Sequence, residues 1–66
     1  MLFKDRLKEL RISKGLSQMQ LANLTGISQS AIAKWELGKT EPTASAIVTL
    51  AIFFDERADY LLGLEY

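Results

Sequence analysis

Gln29, Ser30, Ala33 and Lys34 are the side chains of this 66-residue chain whose types and spacing suit chemistry with another molecule. On a helix they share one face, opposite Ile32 and Trp35. The face is small, amide-bearing and singly positive. A glutamine amide offers a donor and an acceptor together and can bond adenine at N6 and N7. A lysine reaches a guanine edge or a flanking phosphate, and the small residues allow close approach, Ala33 to a thymine methyl. These are the properties needed to read base edges in the major groove of double-stranded DNA. Gln18, at the start of a preceding helix, can hold a phosphate through its backbone N–H and its amide, favoured by the helix dipole. Lys39 and Thr40 suit a second phosphate, and Lys14 is a further candidate.

The elements that must position these groups are legible in residues 17 to 40, SQMQLANLTGISQSAIAKWELGKT. Ser17 and Gln20 have the spacing of a capping box, so a helix starts at about residue 18. Leu21, Ala22 and Leu24 supply its apolar side. Gly26 provides the left-handed position that ends it at about residue 25. Ile27 then points inward, and Ser28 caps a second helix over about residues 28–37. The alignment of Trp35 with Ile32 predicts a core role for the indole rather than a platform for stacking a base. Gly38 stops the helix and Pro42 keeps the next one from starting early, leaving a loop with backbone N–H groups, a lysine and a hydroxyl.

On either side the pattern stays helical. Phe3, Leu7 and Leu10 mark an amphipathic helix over about residues 2–14, closed by Gly15, with Leu16 at the corner. Thr43 caps a helix over about residues 44–54, with Ile47, Leu50, Ala51 and Phe54 inward. Asp55 and Glu56 break that run, and a short last helix is expected over about residues 59–64 with Leu61 and Leu62 inward. The prediction is an all-α single domain of five helices over residues 1–66. Its core holds Leu7, Leu10, Leu16, Leu21, Ala22, Ile27, Ile32, Trp35, Ile47, Leu50, Ala51, Phe54, Leu61 and Leu62.

The frame from Gln18 to Leu37, with Ala22, Gly26, Ile27, Ile32 and Trp35 at their offsets, resembles a helix-turn-helix. The extension WELGKTEP, residues 35 to 42, is similar to the phage-repressor and Cro type, often termed Xre-like. The segment DYLLG near the end fits the same family, and the likeness runs from about Leu7 to Leu64. It implies a compact lambda-repressor-like domain and a transcriptional regulator, expected to be a repressor, with the helix from Ser28 lying in the major groove. It also implies an ion pair between Arg11 and Glu36 under the motif, a loop at Lys39 and Thr40 that holds phosphate, and two-fold dimers on a palindromic operator. Tyr60, Leu64 and Tyr66 are the residues expected to face the second copy. The chain departs from the pattern before the last helix. There Glu56 and Arg57 stand where an apolar residue and a Ser or Thr are usual, so the packing and capping of that helix are the point of departure. The competing reading is the same fold used as a protein-interaction module, an antitoxin-like or co-regulator partner with weak or no specific DNA binding.

Composition narrows the classes. The chain has no Cys and no His, which removes disulfides, thiolate metal sites, the commonest metal ligand and the commonest general base. Gly38-Lys39-Thr40 is not an NTPase phosphate loop, because residue 33 is Ala rather than Gly and no strand precedes it. No enzyme activity, cofactor or metal is expected. No apolar run approaches the roughly 20 residues of a membrane span and the start is not a signal peptide, so a cytoplasmic protein is expected. Net charge is zero, but residues 1–40 carry +4 and residues 41–66 carry −4. Phosphate responds to the local field, so this distribution is compatible with DNA.

Overall fold

The structure, a computed structural model, describes residues 2–64 as five helices: α1 (Phe3–Ser13), α2 (Gln18–Thr25), α3 (Gln29–Glu36), α4 (Ala44–Phe54) and α5 (Ala58–Leu62). The caps expected from the sequence are in place. Ser17 and Gln20 form the reciprocal capping box, and the hydroxyls of Ser28 and Thr43 accept from the backbone N–H of Ala31 and Ala46. Each cap satisfies an N–H that the first turn of a helix leaves without a partner.

Helices α1 and α2 both lie against α3, α4 packs on α2 and α5, and α5 returns to α1. Leu7, Leu21, Ile32, Leu50 and Leu61, one from each helix, are wholly inaccessible to solvent. Ala22, Trp35, Ile47 and Phe54 complete the expected interior, and Leu10, Leu16, Ile27, Ala51 and Leu62 pack half-buried at its margin. Two residues outside the expected core also belong to it. Phe3 is buried with its ring edge-on to Trp35, centroids 6.0 Å apart, and Ala46 lies one turn before Leu50. Trp35 is thus an interior residue.

The structure corrects the expected inward face of α2. Leu24 is 60% exposed. The buried side is centred on the consecutive residues Leu21 and Ala22, with Thr25 half-buried beside them, and that phase turns Leu24 outward.

The last helix begins at Ala58 and ends at Leu62, two residues short of the expected end. Gly63 adopts φ 74°, and a Cβ there would sit 2.9 Å from Leu2 Cβ, so the left-handed turn and the close approach both require glycine. Asp55 ends α4 in the left-handed region, which aspartate tolerates better than most residues. Arg57 occupies the N-cap without a side-chain cap bond. Asp59 compensates from inside the helix, its Oδ1 accepting from the Tyr60 N–H at 2.9 Å and from Arg57 Nε at 3.0 Å. The guanidinium holds the Asp59 carboxyl below the usual carboxylate range, although an exposed pair of this kind adds little stability. Arg6 fastens α5 to α1, donating to the Tyr60 carbonyl at 2.7 Å and stacking 4.2 Å from the Tyr60 ring centroid.

Truncating a wholly buried leucine should separate sharply from truncating the exposed leucine of α2. Leu50→Ala is expected to cost about 2–5 kcal/mol, lowering Tm by at least about 8 °C. Leu24→Ala should stay within about 0.5 kcal/mol. Thermal unfolding followed by circular dichroism measures both.

Candidate nucleic-acid interface

Two helix starts are brought side by side by a turn that satisfies its own backbone. Gly26 takes φ 77° and its N–H donates to the Ala22 carbonyl at 2.9 Å. The Thr25 hydroxyl donates to the Leu21 carbonyl at 2.8 Å and accepts from the Ile27 N–H at 3.3 Å. At the start of α2 the capping box occupies the N–H groups of Ser17 and Gln20. Those of Gln18 and Met19 have no partner among the described residues. At the start of α3 the Ser28 cap leaves the N–H groups of Gln29 and Ser30 in the same position. These orphan donors, at the positive ends of two helix dipoles, are suited to anions.

A polar chain runs from the base of the motif to this edge. Arg11 Nε donates to Glu36 Oε2 at 2.7 Å and Nη2 donates to Oε1 at 2.9 Å, a bidentate pair. The third nitrogen of Arg11, Nη1, donates to the Leu16 carbonyl at 2.8 Å and so pins the corner between α1 and α2. The pair is largely shielded, the Arg11 and Glu36 side chains being 12% and 5% exposed. The hydrogen bonds that Arg11 donates to Glu36 raise its guanidinium above its already high ordinary pKa, against the opposing effect of burial. Gln18 Nε2 also donates to Glu36 Oε1, at 3.1 Å, and Gln18 Oε1 accepts from Gln29 Nε2 at 3.2 Å. The ion pair implied by the family resemblance is therefore present. The two glutamine links are not legible in the sequence, where only the placement of a glutamine at the first position of both α2 and α3 hints at them.

Gln29, Ser30 and Lys34 are exposed on one side of α3, and Ala33 is half-buried between them. Lys39 and Thr40 are exposed in the loop after α3. The loop offers fewer donors than expected, because the Gly38 N–H bonds the Trp35 carbonyl and the Lys39 N–H bonds the Lys34 carbonyl at 2.9 Å. The N–H groups of Thr40 and Glu41 remain. Lys4, which the sequence does not single out, lines the same cleft as Thr40 and Glu41, and its stem lies across Gly38. Lys14 is exposed at the end of α1, its ammonium 6.0 Å from the centroid of the Phe53 ring on α4. Of the residues expected to meet a second copy, Leu64 is 57% exposed, Tyr60 is half-buried under Arg6, and Tyr66 lies outside the described residues.

Comparison with known proteins agrees with this geometry. A family model described as helix-turn-helix matches residues 7–61. The chain is 38% identical over 61 residues to the SPbeta prophage-derived HTH-type transcriptional regulator YonR of Bacillus subtilis (strain 168), covering 92% of this chain and 56% of that protein. It is 44% identical over 61 residues to the HTH-type transcriptional regulator AnsR of the same organism, covering 92% and 53%. It is 40% identical over 63 residues to the HTH-type transcriptional activator BcrR of Enterococcus faecalis, covering 96% and 31%. The chain thus spans from about a third to just over half of these curated relatives. Among solved structures, the restriction-modification controller protein C.AhdI from Aeromonas hydrophila superposes with a TM-score of 0.80 at 39% identity, over 89% of each chain.

The shielded pair makes an asymmetric mutational prediction. Arg11→Ala should cost about 3–5 kcal/mol, because it strands the Glu36 carboxylate, whereas replacing both residues with apolar side chains of similar volume should recover most of that loss. Urea unfolding of the single variant and of Arg11→Met with Glu36→Leu tests the difference.

Proposed function

This chain belongs to the helix-turn-helix family, and we propose that it binds double-stranded DNA sequence-specifically as a transcriptional regulator. The observation that carries the reading is the edge formed by the starts of α2 and α3. There, unpartnered N–H groups and two linked glutamine amides lie together beside the exposed face of α3. In this reading α3 enters the major groove with its first residues leading. Gln29 reads a base, Ser30 and Ala33 allow close approach, and Lys34 reaches a guanine edge or a phosphate. Gln18 with the N–H groups of α2 holds one phosphate, and Lys39 with Thr40 holds another. Lys14 is at most a peripheral phosphate ligand, given its place over Phe53.

The names of the relatives support regulation rather than catalysis, and we assign the chain no reaction, cofactor or metal. They include a protein named as an activator, so the sign of regulation is not a property of the fold. We favour a repressor, since a domain that covers a promoter needs no further contact to block it. A single α3 reads only a few base pairs, so we propose a homodimer on a palindromic operator, its half-sites about one helical turn apart. Of the residues proposed for the dimer contact, Leu64 is exposed and Tyr60 half-buried. Among the described residues no helix is long and apolar enough to cross a membrane. We place the regulator in the cytoplasm with the DNA it reads.

Selection from random duplex DNA should enrich a palindromic site, and affinity for that site should fall steeply with salt. Lys34→Glu and Lys39→Glu should each weaken binding and reduce the salt slope by about 0.9 for each phosphate that is no longer neutralised. Absence of any enriched site, with no salt-sensitive binding, would instead favour a protein-interaction module. Sedimentation showing only monomer, both at high concentration and on the enriched site, would rule out the dimer.

A further inference from the structure

We propose that Lys4, from the first turn of α1, takes a DNA phosphate of its own at the cleft beside the loop after α3, held in check by Glu41. This rests on the DNA-binding reading and extends the interface to a helix outside the motif. Lys4 is exposed, and its ammonium has no hydrogen-bond or ion-pair partner among the described residues. The side chain nevertheless does not run straight into solvent. A Cβ on residue 38 would sit 3.2 Å from Lys4 Cδ and 3.7 Å from Nζ, so the stem and the ammonium both lie close over Gly38. There they line a cleft of about 150 Å³ with Phe3, Trp35, Thr40 and Glu41. The stem covers the edge of the buried Phe3–Trp35 pair while the charged head stays at the rim. A lysine already laid down in this way loses less side-chain freedom when an anion arrives.

The other donors at the cleft are the main-chain N–H groups of Thr40 and Glu41, which have no partner among the described residues. An ammonium and two free N–H groups suit a phosphate oxygen. The loop directly follows α3, so with α3 in the groove the cleft falls where the sugar-phosphate backbone runs. Lys39 does not line the cleft, and it is left to serve a neighbouring phosphate. Glu41 lines the cleft without pairing with Lys4, and its charge opposes any anion there. A free anion is therefore drawn in weakly, whereas a phosphate delivered by the docking of α3 meets the ammonium already in place. Phe3, the residue before Lys4, is buried edge-on to Trp35, so the first turn of α1 is fixed relative to α3.

The test uses the full chain and a duplex it binds, with one phosphate at a time replaced by an uncharged methylphosphonate. Lys4→Gln should fold as the unaltered chain does, since the ammonium it removes is bonded to nothing, and a thermal melt checks this. It should weaken binding about three- to tenfold and make the salt dependence shallower by about 0.9, with base preference unchanged. At one linkage, methylphosphonate should cost the unaltered chain severalfold in affinity and cost Lys4→Gln almost nothing. Lys39→Gln should keep its sensitivity at that linkage and lose it at another, and Lys4→Arg should keep it at both. Glu41→Gln should strengthen binding. If every linkage that weakens the unaltered chain weakens Lys4→Gln equally, or if the linkage loses its effect in Lys39→Gln instead, the Lys4 site is overturned and the DNA-binding reading stands. Failure of the unaltered chain to bind duplex DNA at low salt overturns both.

Discussion

A carboxylate removed from water must be surrounded by donors, and Glu36 meets that requirement by drawing on two other helices. Arg11 comes from α1 and Gln18 from α2, while Glu36 is itself the last residue of α3. Satisfying one anion therefore sets the relative placement of three helices, and the remaining Arg11 donor fixes the corner at Leu16. A chain of this size buries only about 60% of its unfolded surface, so its apolar core has a narrow margin. In such a domain a shielded ion pair contributes more to a single arrangement than to net stability, because the desolvation of both charges offsets much of their attraction.

The same anion connects the interior with the proposed reading surface. From Glu36 the hydrogen bonds pass outward through Gln18 to Gln29, the side chain nominated to read a base. Around this edge the charges divide with the architecture. The basic excess lies on α1 to α3 and the loop that follows, and most of the acidic residues beyond residue 40 lie on the turn between α4 and α5 and on α5. A net charge of zero thus conceals a division along the chain, +4 over residues 1–40 and −4 over residues 41–66, and exposed charges of this kind act over a Debye length of about 8 Å at physiological salt. Glu41 is the exception, an acid beside Thr40 and Lys4 in the cleft after α3, and it moderates the field there.

Much of the fold was legible because its signals are local. Ser17 with Gln20, Ser28, Thr43 and Gly26 each act on backbone within a few residues, and each does in the structure what its type predicts. The phase of α2 was less legible. Eight residues give barely two turns, and with so few apolar positions Leu24 fits the inward stripe as well as Ala22 does. The end of α5 had a local signal in Gly63, a left-handed C-cap like Gly26, but the apolar run that continues to Leu64 suggested a longer helix. The site shows the same division. The exposed face of α3 follows from helical periodicity, but the bond between Arg11 and Glu36 spans 25 residues and came from family resemblance. The bonds of Gln18 to Glu36 and to Gln29 span 18 and 11 residues, and nothing in an amide's immediate neighbours distinguishes a buried partner from solvent.

The most direct measurement is a titration of the isotopically labelled chain with duplex DNA at low salt, following every backbone amide by NMR. If the edge between α2 and α3 is where DNA binds, the largest changes fall on the orphan N–H groups of Gln18, Met19, Gln29 and Ser30, with Thr40 and Glu41 next. The amides buried between α4 and α5 are then barely perturbed. Changes confined to α4 and α5, or none at the starts of α2 and α3, would contradict that assignment.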